Sequence, residues 1–172
     1  MWALSDKEID AYYKGVESKL SKKYLGTFPK DVIPSKLAKR KHGAMIINMN
    51  NSNQGGSHWI AILLNKDNTI YFDSFGVVPS NEVVAFMKQR GKPIVEFSNG
   101  KRRIRKKQLP MYYMDRQLQD LSSSSCGWFC IHFIDECILK GRNILDVLGQ
   151  DFSYDVKENE RLLAGYFAEK GK

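Results

Sequence analysis

His58-Trp59-Ile60-Ala61-Ile62-Leu63-Leu64 sets Ile60, Ile62 and Leu64 on one side of an extended chain and Trp59, Ala61 and Leu63 on the other. Both sides are apolar, so the run predicts a central strand whose sheet is covered by helices on both faces. Two strand-like runs flank it, Ala44–Asn48 and Thr69–Phe75. The first is reached through a long polar connection, Met49 to Ser57, and the second through the tight turn Asn65-Lys66-Asp67-Asn68.

Outward from this sheet the periodicity becomes helical. Ser5 with Glu8 three residues on is a capping-box signature, and Ile9, Tyr12, Tyr13, Val16 and Leu20 recur at helical spacing. Segment 25–42, with Gly26, Pro29 and Pro34, reads as loop with a short helix at 35–41. Pro79–Arg90 predicts a helix closed by Gly91. Pro93–Ser98, Asn99-Gly100 and Lys101–Lys107 predict a hairpin on a type I′ turn, followed by a strand over Met111–Arg116. From Gly127 the residues Trp128, Ile131, Ile134 and Ile138 mark a helix ending near Gly141. Two more helices are expected around Val147-Leu148 and over Val156–Ala168. The expected fold is α+β, a central mixed sheet flanked by helices, in a single domain over residues 1–172.

The 172 residues are 42% hydrophobic and 12% aromatic, which excludes a disordered or collagen-like chain. Every apolar stretch is broken too early to span a bilayer, so no membrane association is expected. Met1–Glu8 has no cationic segment leading into an apolar one, so secretion is not expected either. Lys plus Arg number 27 against 19 Asp plus Glu, a formal charge of +8. Lys101, Arg102, Arg103, Arg105, Lys106 and Lys107 supply six of those cations in one run, which makes it a candidate nucleic-acid contact as well as a solvated charged strand. Cys126, Cys130 and Cys137 are too few and too clustered for a disulfide framework, and point to a reducing compartment. Cys126 and Cys130 with His132 lack the second ligand pair of a structural zinc site, so no metal is expected.

Four serines, then Cys126-Gly127, then an apolar helix put a thiol at a helix N-terminus, where unpaired N–H groups and the macrodipole favour thiolate. Cys130 and Cys137 fall inside the helix as small core residues. A nucleophilic thiolate needs a base, and the base an orienting group. His132 lies ~240° around the helix from Cys126, and His42 sits in a Lys/Arg-rich loop. His58 instead begins the central strand. If the 65–68 turn is centred between Lys66 and Asp67, Ile60 faces Asp73, and His58 lies on that same face. A slip of one residue would turn Asp73 away. The backbone N–H of Cys126 and the side-chain amide of Gln119, or of Gln117, are candidate donors to an oxyanion.

Gly55-Gly56-Ser57-His58-Trp59-Ile60-Ala61, Phe72-Asp73-Ser74-Phe75-Gly76, Gln119 and Cys126-Gly127-Trp128-Phe129-Cys130, in that order and spacing, resemble the adenain family, the adenovirus maturation proteases, and the wider clan shared with SUMO-specific proteases. Tyr24-Leu25-Gly26-Thr27-Phe28 and Pro34-Ser35-Lys36-Leu37-Ala38 extend the resemblance, which runs from about residue 20 to about 140. It implies a cysteine endopeptidase with a papain-like core in the rearranged order His, Asp, Gln, Cys. His58 would be the base, Asp73 its orienting group, Gln119 the oxyanion donor and Cys126 the nucleophile, with Trp59 and Gly127 against the substrate. Asp73 stands where adenain carries Glu and the SUMO proteases carry Asp. Substrates would be viral capsid or core precursors cut after Gly-Gly-x or Gly-x-Gly, by a monomer working in the virion and the infected cell.

No cofactor is implied for the chemistry itself, while DNA is a candidate cofactor through 101–107. Adenain also holds an activating peptide through a cysteine upstream of its Gln; no cysteine precedes Cys126 here, so that disulfide cannot form. Residues from about 141 onward have no counterpart in the resemblance. An isopeptidase acting on ubiquitin- or SUMO-like modifiers is the alternative with the same site. A non-enzymatic nucleic-acid-binding module would use 101–107 and leave the four site residues unexplained.

Overall fold

The computed structural model describes residues 1–16, 22–55 and 57–171. Leu20 and Gly56, both used above, lie outside them. Helix α1 (Asp6–Gly15) opens on the expected capping box: Ser5 and Glu8 satisfy each other's backbone N–H groups. Strands β1 (Tyr24–Pro29), β2 (Gly43–Asn48), β3 (Trp59–Leu64) and β4 (Thr69–Phe72) follow, with short 3-10 turns at Lys30–Val32 and Ser35–Lys39. After helix α2 (Asn81–Lys88) come β5 (Gly91–Ser98), β6 (Lys101–Gln108) and β7 (Met111–Tyr113). Helix α3 (Cys126–Ile134) continues as a π-helical turn over Asp135–Leu139, and α4 (Ile144–Gln150) and α5 (Val156–Lys170) complete the chain.

The main sheet has the order β1-β2-β3-β4-β7 and is mixed, antiparallel between β2, β3 and β4 and parallel at both margins. Strand β3 is central and buried along its whole length. Trp59, Ala61 and Leu63 pack under α1, α3 and α5, against Ile9, Phe129, Phe133 and Leu163. Ile60, Ile62 and Leu64 face the other layer, against Val83, Phe86 and Met87 of α2. The two apolar faces of β3 therefore build two cores, and the fold is α+β.

The β3–β4 register pairs Ala61 with Phe72, Ile62 with Tyr71 and Leu63 with Ile70, the pairing expected from a turn centred between Lys66 and Asp67. Arg90 pins that turn. Its buried guanidinium donates to the carbonyls of Asn68, Asn65 and Arg40 and to Thr69 Oγ1, at 2.7–3.1 Å. Strand β4 stops at Phe72, not Phe75, because the chain turns at Asp73–Gly76, with Gly76 N–H donating to the Asp73 carbonyl at 2.9 Å. Gly76 has φ 70°, and a Cβ there would sit 2.7 Å from the Arg116 backbone, so only glycine fits the turn.

Three further expectations need correction. Segment 24–29 is a strand, not a loop: on the sheet margin it pairs along one side only, which accommodates Gly26, Pro29 and a register shift between Tyr24 and Thr27. Gly91 does not close α2 but opens β5, opposite Gln108. The strand after the hairpin covers only Met111–Tyr113. The hairpin itself stands as expected, a separate two-stranded sheet turning on Asn99 (φ 49°) and Gly100 (φ 70°).

Candidate active site

His58 and Asp73 lie just beyond the ends of two paired central strands, which is why neither is in the ladder and both reach the same rim. His58 Nε2 and Asp73 Oδ1 are 2.8 Å apart. That oxygen also accepts the Phe75 N–H at 2.8 Å, so the Asp73 turn fixes the carboxylate before it meets the imidazole. Phe75 stacks on the His58 ring with centroids 4.6 Å apart, holding the ring plane. The Nε2 contact fixes which nitrogen is left over. Nδ1 is buried without a hydrogen-bond partner, and Cys126 is the second group, after Asp73, that stabilises the ring's proton.

Burial alone would lower the His58 pKa; the hydrogen bond to Asp73, aided by Cys126, outweighs it and pushes His58 up to about 9. The imidazolium is therefore the form present at neutral pH. Since the shift is upward, its stabilising contribution is complete below about pH 6.5 and is lost as pH rises through about 9.

Cys126 is the first residue of α3, and its backbone N–H lies in the helical turn that has no i−4 carbonyl to pair with. Cys130, one turn on, is fully buried; burial pushes its thiol well up. Burial also pushes Cys137 up to about 12, and both thiols lie away from the cleft. Gln119 is wholly buried. Ser74, the residue after Asp73, holds Gln119 twice and its neighbour Leu118 once. The Ser74 carbonyl accepts from Leu118 N–H (2.8 Å) and Gln119 N–H (3.0 Å). The Ser74 hydroxyl donates to Gln119 Oε1 at 2.6 Å, which turns Nε2 the other way. Gln117 is exposed and spends its amide on the Gln119 carbonyl at 2.9 Å; it does not reach the cleft.

His58, Trp59, Gln119 and Cys126 line one cleft of about 620 Å³, with Phe28 and Phe75 on its apolar wall and Asn48 on its polar side. Residues 2–4 close one flank, which no sequence pattern signalled. The Leu4 carbonyl accepts the Trp59 indole N–H at 2.8 Å, and the Trp2 carbonyl accepts that of Trp128 at 2.9 Å. A Cβ on Gly127 would meet Leu4 and Trp59 at 3.2–3.3 Å, so Gly127 allows this segment to approach rather than lining the cleft. His132 points elsewhere, 3.0 Å from Asp151, and His42 is exposed. Lys101, Arg102, Arg103, Arg105, Lys106 and Lys107 all lie on exposed β6, outside the cleft. Among the described residues no group of three or more His, Cys, Asp or Glu side chains could hold a metal ion.

A thiol at a helix start, an imidazole beside a carboxylate, and a buried amide line one cleft, the groups that thiol-dependent acyl transfer needs. The model of the adenovirus endoprotease family matches residues 24–146, and the chain belongs to that family. Its fold resembles the crystal structure of the ASFV pS273R protease at 14% identity and a TM-score of 0.61, over 93% of this chain and 66% of that one. It also resembles ChlaDub1 from Chlamydia trachomatis at 18% identity and a TM-score of 0.50, over 76% of this chain and 61% of that one. This chain thus spans less than two thirds of either. No curated protein matches it in sequence. No helix among its described residues is long and apolar enough to cross a membrane.

Proposed function

We propose that the chain is an endopeptidase processing viral capsid or core precursor proteins after Gly-Gly-x or Gly-x-Gly sites, through Cys126, His58, Asp73 and Gln119. The observation that carries this reading is the His58 imidazole, 2.8 Å from Asp73, lining one cleft with Cys126 and Gln119. The family's description as an adenovirus endoprotease supports the viral substrates.

The proposed reaction runs in two halves. Cys126 Sγ, as thiolate, attacks the scissile carbonyl carbon, and the carbonyl π pair moves onto oxygen. The Cys126 N–H and the Gln119 amide stabilise that oxyanion. Collapse breaks the C–N bond, and His58 Nδ1 gives its proton to the departing amine. The thioester is then hydrolysed: neutral His58 takes a proton from water, hydroxide adds to the carbonyl, and the thiolate leaves. Asp73 holds Nε2–H throughout, so the ring presents Nδ1 to the reacting atoms in both halves of the cycle.

The six cations of β6 lie on a strand exposed along its length, which supports a DNA cofactor that holds the enzyme, as a monomer, near packaged substrates inside the virion or infected cell. A panel of a Gly-Gly-x peptide, a ubiquitin conjugate and a SUMO conjugate tests the substrate class. Turnover of the peptide, lost in Cys126→Ala, is the expected result. Cleavage of the folded modifiers with none of the peptide would establish the isopeptidase reading instead.

A further inference from the structure

The family match begins at residue 24, so the segment that leads into α1 lies outside it. Residues ahead of a first helix ordinarily fray. Here Trp2–Leu4 is tied down on both sides. Toward α1, the capping box of Ser5 and Glu8 fixes where the helix starts, and Tyr12 on that helix donates to the buried Asp135 carboxylate at 2.5 Å. Across the cleft rim, two indoles hold the main chain itself. Trp59 Nε1 donates to the Leu4 carbonyl at 2.8 Å, and Trp128 Nε1 donates to the Trp2 carbonyl at 2.9 Å. An indole N–H can only donate, so each ring picks out one acceptor and fixes where the segment runs.

The two indoles belong to the two elements that carry the site. Trp59 is the residue after His58, and Trp128 is two residues after Cys126. Leu4, 7% exposed, fills the angle between them: a Cβ on Gly127 would sit 3.2 Å from Leu4 Cβ and Cδ1 and 3.3 Å from Trp59 Cδ1. Trp2 meets the Trp128 ring edge-on with centroids 5.0 Å apart, and Phe167 of α5 backs that ring at 4.8 Å. One short segment therefore bears on the strand end with the imidazole and on the helix start with the thiol.

We infer that Trp2–Leu4 is a positioning strap: by holding Trp59 and Gly127–Trp128 together, it sets the spacing between His58 and Cys126. This deepens the reading of those two side chains as base and nucleophile, and rests on it. The strap acts through the residues that follow them in sequence, with Leu4 as the spacer and the two carbonyls as the anchors.

The test uses variants of the full chain, measured by turnover of a Gly-Gly-x peptide, by iodoacetamide alkylation of Cys126 and by urea unfolding. Trp128→Phe keeps a ring beside Trp2 and deletes the N–H that the Trp2 carbonyl accepts; Trp128 lies outside the cleft, so no substrate contact changes. Leu4→Ala removes the spacer. Combined, the two should lower kcat at least about tenfold, because small misplacements of reacting groups are costly. Alkylation at neutral pH, which needs no peptide subsite, should slow as well, since the imidazolium no longer stands beside the sulfur. The alkaline limb of kcat/KM should move down from about pH 9, as His58 loses the part of its upward shift that Cys126 supplies. Leu4→Met, which conserves volume, should stay within about twofold of wild type. Should urea unfolding show the double variant to be unfolded, Trp128→Phe alone should give a smaller change in the same direction in all three readouts.

Wild-type kcat in the folded double variant would overturn the inference. So would a kcat loss that leaves alkylation and the alkaline limb in place, which would make Leu4 a substrate contact only. If Cys126→Ala still turned over the peptide, the base-and-nucleophile reading would fall, and the inference with it.

Discussion

The antiparallel hairpins β3–β4 and β5–β6 are of opposite character. In β3–β4 every β3 side chain is buried, the turn is pinned by Arg90, and both strands continue into the site as His58 and Asp73. In β5–β6 every β6 side chain is exposed, including Ile104 at 66%, and Phe97 on β5 is exposed at 76%. Val95 faces Ile104 and Phe97 faces Arg102 across that ladder, with no second layer over them. A two-stranded ribbon is marginal in water on its own. The first hairpin owes its precision to burial on both faces. The second is a display surface, and its sequence is free to carry charge.

The comparison can be broken in several ways. His58→Ala, at the end of the buried hairpin, should lower kcat/KM on a Gly-Gly-x peptide by at least about 10³-fold, because it removes both base and acid. Residual turnover near wild type would separate the buried hairpin from the chemistry. Ile62→Ala leaves a hole in a fully buried layer and should cost about 2–5 kcal/mol in urea unfolding. Ile104→Ala on the exposed ribbon should stay within about 0.5 kcal/mol in the same experiment. Between those two in size, replacing Arg102, Arg103 and Arg105 with Gln should weaken DNA binding and flatten its dependence on salt concentration. A wild-type salt slope in that variant would place the DNA contact elsewhere.

How much of this was legible follows the same division. The period-2 pattern of Trp59–Leu64 gave both the centrality of β3 and its two cores, because burial on both faces leaves no ambiguity in composition. The register that brings Asp73 to the His58 side was legible only on the condition that the turn is centred between Lys66 and Asp67, and the observed pairing meets that condition. Strand β1 was hidden because a marginal strand tolerates Gly26 and Pro29, residues that ordinarily signal loop. Phe75 and Ser74 lay beside Asp73 in the quoted sequence, but stacking on an imidazole and gripping an amide have no periodic signature. The strap Trp2–Leu4 was invisible for a different reason. It meets Trp59 and Trp128 across more than fifty residues of sequence, and only the packing of α1 and α3 brings them together. Gln119 and Gln117 likewise could not be told apart in sequence: the two differ by burial, not by type.

The central claim is that His58 works as an imidazolium held by Asp73 against Cys126. The pH dependence of kcat/KM on a Gly-Gly-x peptide, for wild type and Asp73→Asn, tests it most directly. The substitution keeps the side-chain shape but removes the charge that sustains the His58 proton. The alkaline limb should therefore lie close to pH 9 in the wild type and move down in Asp73→Asn. An alkaline limb near pH 6.5 in the wild type, or one that Asp73→Asn leaves in place, would contradict it.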